Sequence, residues 1–409
     1  MNTNLSTSSS TLGYIDNRLH FHHKPLQEAI SNYSTPFYLY SKQAIKDNIE
    51  YFHSCAKNNF DHPFIHYAMK ANSHPEVLKI IASLGHGVDI VSLGEYKLAV
   101  SAGVSPSNII FSGVGKTEME IEEIISHKES IKSFNVESLD ELETIQKISS
   151  RYNQITNIAF RLNPDVKAQT HQHISTGGSC HKFGMTSGEI EVALAEKWPN
   201  LNLVGLSIHI GSQLKNFEAT KNAINEMLDL IRRNNLQHLS FLDFGGGLGI
   251  FYGPHDHDLT SAPDYFLQIK NQITPFFEST QLPQIIFEPG RFITGNAGIL
   301  ISKVVRMKDN GIKHFVILDA GMTELIRPAL YDAYHEILPL NRRDEKNEIY
   351  DFVGPICETG DFFAKDRSST LIKKNDYIAI GNCGSYARCM ASTYNAREIP
   401  PEYFIEDIK

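Results

Sequence analysis

Five short segments of the chain carry either a reactive side chain or a glycine run that allows a ligand to approach closely. A lysine amine can attack an aldehyde, and a thiol or imidazole can donate or accept a proton. Glycine runs leave backbone N–H groups accessible to phosphate, and arginine binds carboxylates. The segments are IHYAMKAN (65–72), HIGSQ (209–213), GGGLGI (245–250), EPGR (288–291) and GPICETGD (354–361).

Lys70 follows the apolar run FIHYAM, which is typical of a buried strand. A lysine at the end of such a strand faces the mouth of the sheet or barrel, where its amine can form a Schiff base with an aldehyde cofactor. The alternative is a structural or solvated lysine, which is where most lysines are found. The segment alone leaves both interpretations open.

The glycine run at 245–247 directly follows the strand-like LDF. Three consecutive glycines permit close backbone approach and are expected to leave several N–H groups for a phosphate. The run is not a dinucleotide fingerprint, because no helix follows at the required place. A plain turn is the alternative, although phosphate sites in barrels commonly follow the last two strands.

Glu288, Arg291 and His209 are the next candidates. An acid beside a pyridine nitrogen keeps that nitrogen protonated and strengthens pyridoxal phosphate as an electron sink. Gly290 and its neighbours add backbone donors for the same phosphate. The His209 ring can stack on a flat cofactor. The alternatives are that Glu288 is an ordinary rim acid, that Arg291 forms a salt bridge, and that His209 is a core or surface histidine with no part in catalysis.

Cys357 stands beside Glu358 among turn residues. A thiol with the ordinary pKa near 8.5 is protonated at neutral pH and can donate a proton, although free cysteine is usually buried and inert. Arg327 and Tyr331 are four residues apart, so they share one face if their segment is helical. Such an arginine suits a substrate carboxylate, with a surface arginine as the alternative.

Strands and helices that alternate over about residues 60–290 position these side chains. Helical patterns such as those around 75–85, 138–149 and 222–233 separate the runs, and Ser138 with Glu141 predicts a capping box. Eight repeats favour a closed parallel (β/α)8 TIM-type barrel over an open sheet. The apolar runs are FIHYAMK (64–70), GVDIV (87–91), NIIF (108–111), SFNV (133–136), NIAFRL (157–162), LVGLSIHI (203–210), LSFLDF (239–244) and IIFE (285–288).

The ends of these strands carry polar side chains, as barrel enzymes require. They are Lys70, Asp89, Ser112, Asn135, Arg161, His209, the glycines and Glu288. Outside the barrel, expected over residues 46–296, strand-like runs follow one another without helices. We therefore expect a mostly β domain from residues 21–45 and 297–409, and a flexible polar tail over residues 1–20.

Composition limits the function classes. The 409 residues carry 38 Lys+Arg against 47 Asp+Glu, a net charge of −9 that argues against nucleic acid or an anionic membrane as partner. No apolar run is long enough to span a membrane, and the N-terminus does not resemble a signal peptide. Five scattered cysteines favour a reducing cytoplasm. The pair His171 and His173 has metal-like spacing, but no ligand set completes it, and we expect no metal.

Taken together, the segments resemble the diaminopimelate decarboxylases, which belong to the fold-type III pyridoxal-phosphate enzymes. The resemblance runs from about residue 35 to residue 400, and its motifs occur in the family's order. They are IHYAMKAN, FNVES, RLNPDV, HISTGG, KFGM, HIGSQ, DFGGGLGI, EPGRFI, DAGMTELIRPALYDAYH, GPICETGD and GSYARCMASTYNAREIP.

The resemblance implies a role for each candidate residue in the decarboxylation of meso-2,6-diaminopimelate to L-lysine. Lys70 would hold pyridoxal 5'-phosphate covalently, and Cys357 would protonate the α-carbon after carbon dioxide leaves. The other cofactor-binding residues would be His209, Ser212, Gly245, Gly246, Gly247, Glu288, Gly290, Arg291 and Tyr386. Arg291, Arg327, Tyr331, Glu358 and Tyr386 would bind the substrate. Cys357 and Glu358 would come from the partner subunit of a homodimer with shared sites.

Two alternatives accompany this prediction. One is a decarboxylase of ornithine, arginine or a D-amino acid, although CETGD, which begins at Cys357, differs from the pattern of the ornithine enzymes. The other is a non-catalytic homologue, against which the retention of Lys70, Glu288, Cys357 and Tyr386 argues. The chain departs from the family pattern at GSYA (384–387), at STYN (392–395) and in the loop around Cys180.

Overall fold

The structure is a computed structural model that describes residues 12–127, 129–166, 181–254, 256, 258–278 and 280–408. The chain divides into two compact units. The barrel unit comprises residues 50–249 and 258–290, and the β-rich unit comprises residues 1–49, 250–257 and 291–409. The expected boundaries at 45/46 and 296/297 lie a few residues from these divisions.

The strands of the described chain are β1 (Leu12–Ile15), β2 (Arg18–Phe21), β3 (Lys24–Pro25), β4 (Phe37–Tyr40), β5 (Phe64–Ala68), β6 (Gly87–Ile90), β7 (Ile109–Phe111), β8 (Ser133–Val136), β9 (Thr156–Leu162), β10 (Leu201–Ile208), β11 (Phe241–Asp243), β12 (Gln284–Phe287), β13 (Gly298–Asp309), β14 (His314–Leu318), β15 (Ile337–Pro339), β16 (Glu348–Val353), β17 (Phe362–Ser369), β18 (Tyr377–Ile380) and β19 (Glu402–Phe404). The helices are α1 (Leu26–Ala29), α2 (Lys42–Lys57), α3 (Pro75–Ser83), α4 (Leu93–Ser101), α5 (Glu118–Ser126), α6 (Leu139–Arg151), α7 (Ser187–Ala195), α8 (Glu218–Asn234), α9 (Ala262–Ile273), α10 (Arg291–Thr294) and α11 (Arg327–Tyr331).

Strands β5 to β12 form a closed barrel in chain order, with β12 pairing with β5. Every neighbouring pair is parallel. The predicted barrel is therefore confirmed, and each of its strands overlaps one predicted apolar run. These runs lack a polar face because both sides of a barrel strand are buried, one by the barrel interior and one by the surrounding helices.

Side chains fill the barrel interior. Ile110, Ala159, Phe241 and Ile286 form a buried cluster there, and a side chain at Gly205 would collide with the ring of Phe241, since a Cβ would lie 2.3 Å from it. The interior is thus packed at this level, which leaves the ends of the strands for a ligand.

The predicted capping box at the start of α6 is only half formed. The Ser138 hydroxyl accepts from the Glu141 N–H at 3.1 Å. The Glu141 carboxylate instead accepts from the Glu137 N–H and binds Lys116 at 2.7 Å. The prediction of a complete box is wrong because a buried lysine attracts the acid more strongly than the cap backbone does.

The β-rich unit is built on β13, which is long enough to pair with several strands. Its sheet has the order β15-β18-β13-β14-β16-β17, and β4 pairs with both β13 and β19. The antiparallel pairing of β4 with β13 joins Tyr40 to Gly298 and Phe37 to Ile301. This confirms that the mostly β domain includes the N-terminal segment of the chain.

The prediction of a flexible tail over residues 1–20 is wrong for residues 12–20. β1 and β2 form an antiparallel hairpin around Asp16 and Asn17, which both have positive φ. Leu19 and Phe21 are completely buried in the core of the β-rich unit. The burial of these two apolar side chains stabilises the hairpin, and the polar run that precedes them concealed this signal. Residues 1–11 lie outside the described chain.

Within the described ranges, no helix combines the length and the apolar character that crossing a membrane requires.

Candidate active site

Lys70 lies at the predicted end of the first barrel strand. β5 ends at Ala68, and a 3-10 turn over Met69–Ala71 places Lys70 just beyond it. Its ammonium is 3.2 Å from Oδ2 of Asp89, which lies on the neighbouring strand β6 and whose side chain is completely shielded from solvent. The Lys70 side chain is 38% exposed. The amine is therefore accessible to a ligand and held by a buried carboxylate.

Glu288 lies directly after β12 and is buried. Its Oε1 atom has no hydrogen-bond partner among the described residues. Burial, together with the charges of Asp243 and Asp89, raises the pKa of Glu288 well above its usual value. A buried acid with an unsatisfied oxygen is costly unless a ligand supplies the missing donor, so Glu288 indicates a site for a cationic N–H group.

The glycine run packs against His209 and Glu288. Gly245 and Gly247 have positive φ, and a Cβ at Gly246 would lie 2.2 Å from the Glu288 carbonyl oxygen. The N–H of Gly245 donates to Asp243 Oδ1 at 2.8 Å, and that of Gly246 donates to His209 Nδ1 at 3.1 Å. The expectation of free N–H groups is therefore wrong for these two glycines, because side chains of the barrel already use them.

His209 is half-buried and adopts a defined tautomer. Its Nδ1 accepts from the backbone, so the ring proton of the neutral form is on Nε2. Burial and the charges of Lys70 and Arg161 lower the pKa of His209 well below its usual value. Ser212 follows it and is half-buried, and Gly290 is buried, with room for a Cβ limited to 3.0 Å by Ala71.

A buried ion pair lies further around the barrel strands. Arg161 donates to Glu137 at 2.8 Å, and the same carboxylate accepts from the N–H groups of Gly113 and Gly184. The Asn135 amide donates to the Ser112 hydroxyl at 3.2 Å. Sequence reasoning identified Arg161, Asn135 and Ser112 as strand-end residues but missed Glu137.

In the β-rich unit, two arginines gather around one tyrosine. Arg291 donates to the Tyr252 hydroxyl at 2.5 Å, and the guanidinium carbon of Arg327 lies 4.6 Å from the centre of the Tyr252 ring. Tyr386 has positive φ, and its ring centre is 4.7 Å from the guanidinium carbon of Arg291. Tyr331 ends α11, which begins at Arg327, as the predicted helical face requires.

The two arginines are buried although both carry charge. Arg291 and Arg327 are each 6% exposed. Burial and the Arg291 charge both lower the pKa of Arg327. Buried guanidinium groups that lie against the same tyrosine favour an anion beside them. Sequence reasoning missed Tyr252, whose only signal was its place after the glycine-rich segment.

Cys357 and Glu358 are exposed, contrary to the usual burial of a free cysteine. The Tyr394 hydroxyl donates to Glu358 Oε1 at 2.7 Å. The structure thus groups Lys70, His209, the glycines and Glu288 in the barrel unit. It groups Arg291, Arg327, Tyr331 and Tyr386 in the β-rich unit, where Cys357 and Glu358 are also found.

Two expectations fall on undescribed residues. Cys180 and the His171–His173 pair lie between residues 167 and 180, outside the described chain. Elsewhere, across the residues that are described, no cluster of histidine, cysteine and acidic side chains suits a metal ion.

Comparison with protein families shows a match to the pyridoxal-binding domain of the pyridoxal-dependent decarboxylases over residues 46–295. A diaminopimelate decarboxylase from Aquifex aeolicus is 40% identical over 400 residues, which cover 97% of this chain and 92% of that relative. One from Bacteroides thetaiotaomicron is 41% identical over 384 residues, covering 91% and 96%.

Solved structures give the same picture. Diaminopimelate decarboxylase from Helicobacter pylori complexed with L-lysine is 37% identical, with a TM-score of 0.86 over 93% of this chain and 94% of that one. The enzyme from M. jannaschii with L-lysine is 32% identical, with a TM-score of 0.89 over 96% and 92%.

Proposed function

The chain belongs to the pyridoxal-dependent decarboxylases, and we propose that it converts meso-2,6-diaminopimelate to L-lysine and carbon dioxide. This reaction is the last step of lysine biosynthesis and uses pyridoxal 5'-phosphate. The observation that carries the proposal is the buried Glu288 carboxyl, whose Oε1 has no hydrogen-bond partner among the described residues, at the same strand ends as the accessible Lys70 amine.

The residues of the barrel unit fit the cofactor. A protonated pyridine nitrogen would supply the donor that Glu288 Oε1 lacks among the described residues. When bound, the cofactor supplies an electron sink for the bond to the departing carboxylate. Lys70 would hold the aldehyde carbon, and His209 would present a neutral ring to the cofactor face. The glycines and Gly290 would allow the backbone to approach the phosphate, with Ser212, Arg291 and Tyr386 as further ligands.

Asp89 gives Lys70 a proton partner. The ammonium and the buried carboxylate are 3.2 Å apart, so the lysine is held in place while it is charged. To attack an aldehyde the amine must first lose a proton. A ligand that displaces Lys70 from Asp89 would leave that buried carboxylate without its cation. This cost favours the return of the lysine side chain to its place beside Asp89 after turnover.

The residues of the β-rich unit suit the far end of the substrate. Arg327 and Arg291 would bind the carboxylate that is retained in lysine, with Tyr331 and Tyr386 beside them. Glu358 would contact the distal amine, and Cys357 would deliver a proton to the α-carbon. Ornithine lacks a distal carboxylate, so it would leave the buried Arg327 charge unmatched. This favours diaminopimelate over the alternative diamino acids.

We further propose a cytoplasmic homodimer whose two sites are shared. The exposure of Cys357 and Glu358 in the single chain supports it, because groups that act in a neighbouring subunit's site must lie at the surface of their own. The separate cysteines and the excess of acidic residues support a reducing, soluble environment.

Chiral amino-acid analysis tests the reaction. The purified protein is incubated with pyridoxal phosphate and meso-diaminopimelate, and with ornithine, arginine and D-lysine in parallel. We expect L-lysine with stoichiometric carbon dioxide from diaminopimelate alone, and no product from Lys70→Ala. Cofactor binding without lysine formation would overturn the substrate assignment, and faster release of carbon dioxide from ornithine would favour the first alternative.

A further inference from the structure

His335 is completely buried in the β-rich unit and forms hydrogen bonds through both ring nitrogens. Its Nδ1 is 2.8 Å from the carbonyl oxygen of Gly381, and its Nε2 is 2.9 Å from Nη1 of Arg327. A carbonyl oxygen only accepts, so Nδ1 carries the ring proton and donates it to Gly381. Arginine nitrogens only donate, so Nε2 is the acceptor for Arg327. The two partners together fix one tautomer of the neutral ring.

The surroundings of His335 oppose a second ring proton. Burial is the largest effect that lowers the pKa of His335, and the charge of Arg327 lowers it further. Arg291 and Arg367 act in the same direction, while the hydrogen bond to Gly381 opposes them. Protonation would also destroy the acceptor that Arg327 uses. His335 therefore remains a neutral acceptor at neutral pH.

Arg327 is held from two sides by uncharged groups. The His335 imidazole accepts from Nη1, and the Tyr252 ring lies 4.6 Å from the guanidinium carbon. The Tyr252 and His335 rings also contact each other edge to face, with centroids 5.4 Å apart. Arg327 forms no ion pair within the described chain, and its Nε has no hydrogen-bond partner there.

The choice of a neutral acceptor has a chemical consequence. A carboxylate at the place of His335 would orient Arg327 equally well, but it would also form an ion pair and compete with an incoming carboxylate. A neutral imidazole accepts one N–H of Arg327 in a fixed direction and does not neutralise the charge of the guanidinium. The remaining donors and the charge stay available for a ligand anion.

We propose that His335 is a positioning residue, which orients the Arg327 guanidinium toward the distal carboxylate of the substrate without neutralising it. This inference rests on the proposed function only for the identity of that carboxylate. The tautomer of His335 and its bond to Arg327 are properties of the chain alone.

Two substitutions separate positioning from a merely structural role. An asparagine at 335 can place its amide N–H near the position of Nδ1 and keep the bond to Gly381, but it is too short to reach Arg327. A glutamine can place its amide oxygen near the position of Nε2 and keep the acceptor for Arg327. His335→Asn thus retains the hydrogen bond to Gly381, and His335→Gln retains the acceptor for Arg327.

The readout is the binding of two amines to the pyridoxal phosphate-loaded enzyme, followed by cofactor absorbance. L-lysine has the carboxylate, whereas cadaverine lacks it. In His335→Asn we expect the affinity for L-lysine to fall about 10-fold, close to 1.4 kcal/mol, and the KM for diaminopimelate to rise by about the same factor. The kcat and the affinity for cadaverine should change less than about twofold. His335→Gln should recover most of the L-lysine affinity. Equal weakening for both amines, or wild-type L-lysine binding by His335→Asn, would overturn the proposal.

A second measurement does not depend on the substrate. In protein labelled with 15N-histidine, with His335→Asn used to assign the signal, His335 should show a protonated Nδ1 and an unprotonated Nε2 at pH 7. A protonated Nε2 would refute the positioning contact. Absence of lysine formation by the wild type would instead refute the proposed function, so the two failures are distinguishable.

Discussion

Asp243 and Glu288 bring two buried carboxyl groups together at the ends of the neighbouring strands β11 and β12. Burial raises the pKa of Asp243 to about 6, and burial with the Asp243 charge raises the pKa of Glu288 well above its usual value. The pair therefore retains a proton under conditions in which exposed carboxyls have lost theirs. A cationic N–H beside Glu288 would offset the cost of a buried negative charge on the pair. Cofactor binding is therefore coupled to the charge of the pair.

Replacing Asp243 by Asn should change how stability depends on pH in the cofactor-free protein. A raised folded-state pKa gives stability that is present below the unfolded value of 3.8 and lost as the pH rises through about 6. Asp243→Asn removes this loss, so its free energy of unfolding should rise relative to wild type between pH 4 and pH 7, by up to about 3 kcal/mol. Urea unfolding at several pH values measures the difference.

The exposed Asp61 provides the control for this experiment. Asp61→Asn should follow the wild-type pH dependence, because its environment changes little on unfolding. If Asp243→Asn also follows the wild-type curve, burial of Asp243 does not carry the stability cost that we assign to it.

Glu288→Gln should leave the cofactor bound but slow decarboxylation by about 100-fold or more, the usual effect of losing one electrostatic contact to a developing charge. A glutamine cannot stabilise a protonated pyridine nitrogen as a carboxylate does. Absorbance of the bound cofactor and release of carbon dioxide are measured on the same sample. Glu278→Gln, at an exposed position, is the control, and a Glu288→Gln variant with wild-type turnover would refute the role of Glu288.

Gly246→Ala should reduce both stability and cofactor affinity. The added Cβ would lie 2.2 Å from the Glu288 carbonyl oxygen, so the backbone that carries the acid must move, at a cost of about 1–3 kcal/mol. Gly188→Ala is the matched control, because nothing lies within 4 Å of a Cβ there. Thermal unfolding and cofactor titration give the two quantities, and a variant that equals the control in both would contradict the packing argument.

The barrel was predictable because its signal is local. Each strand from β5 to β12 is a short apolar run, and chain order alone places the end of every strand at the same mouth. Lys70, His209 and Glu288 could thus be assigned to one group from the order of the strands in the sequence. The placement of Arg327 and Tyr331 on one helical face could be predicted from their spacing of four residues.

The contacts that were missed join residues far apart in the chain. Tyr252 meets Arg291 and Arg327, and His335 meets the carbonyl of Gly381. Nothing in the local sequence pattern distinguishes Tyr252 and His335 from ordinary buried aromatic residues. The same holds for the N–H groups of Gly245 and Gly246, whose side-chain acceptors depend on tertiary packing.

Mixed dimers test whether two subunits share each site. Lys70→Ala and Cys357→Ala should each be inactive in decarboxylation when assembled alone. In an equal mixture, random reassociation should restore about a quarter of wild-type activity, since half of the dimers then hold one intact site of two. If subunit exchange is verified by a tag on one chain and activity stays absent, Cys357 acts within its own chain or not at all.

Lys116 and Glu141 form a buried ion pair whose disruption should be costly. The Lys116 side chain is completely buried, and its ammonium donates to Glu141 at 2.7 Å and to the carbonyl oxygens of Gly113 and Asn135. Lys116→Met leaves the Glu141 carboxylate without its cation, which should lower the free energy of unfolding by about 3–5 kcal/mol. Urea unfolding of the cofactor-free protein at pH 7 measures this change.

The double variant Lys116→Met/Glu141→Met should recover part of the loss, because no isolated charge then remains in the protein interior. Lys147→Met is the matched control: its pair with Glu118 is exposed, and its removal should cost less than about 1 kcal/mol. If the double variant is no more stable than Lys116→Met, the cost comes from the lost hydrogen bonds to backbone groups and not from the unpaired carboxylate alone. These groups are the carbonyl oxygens of Gly113 and Asn135 and, in the double variant, the Glu137 N–H.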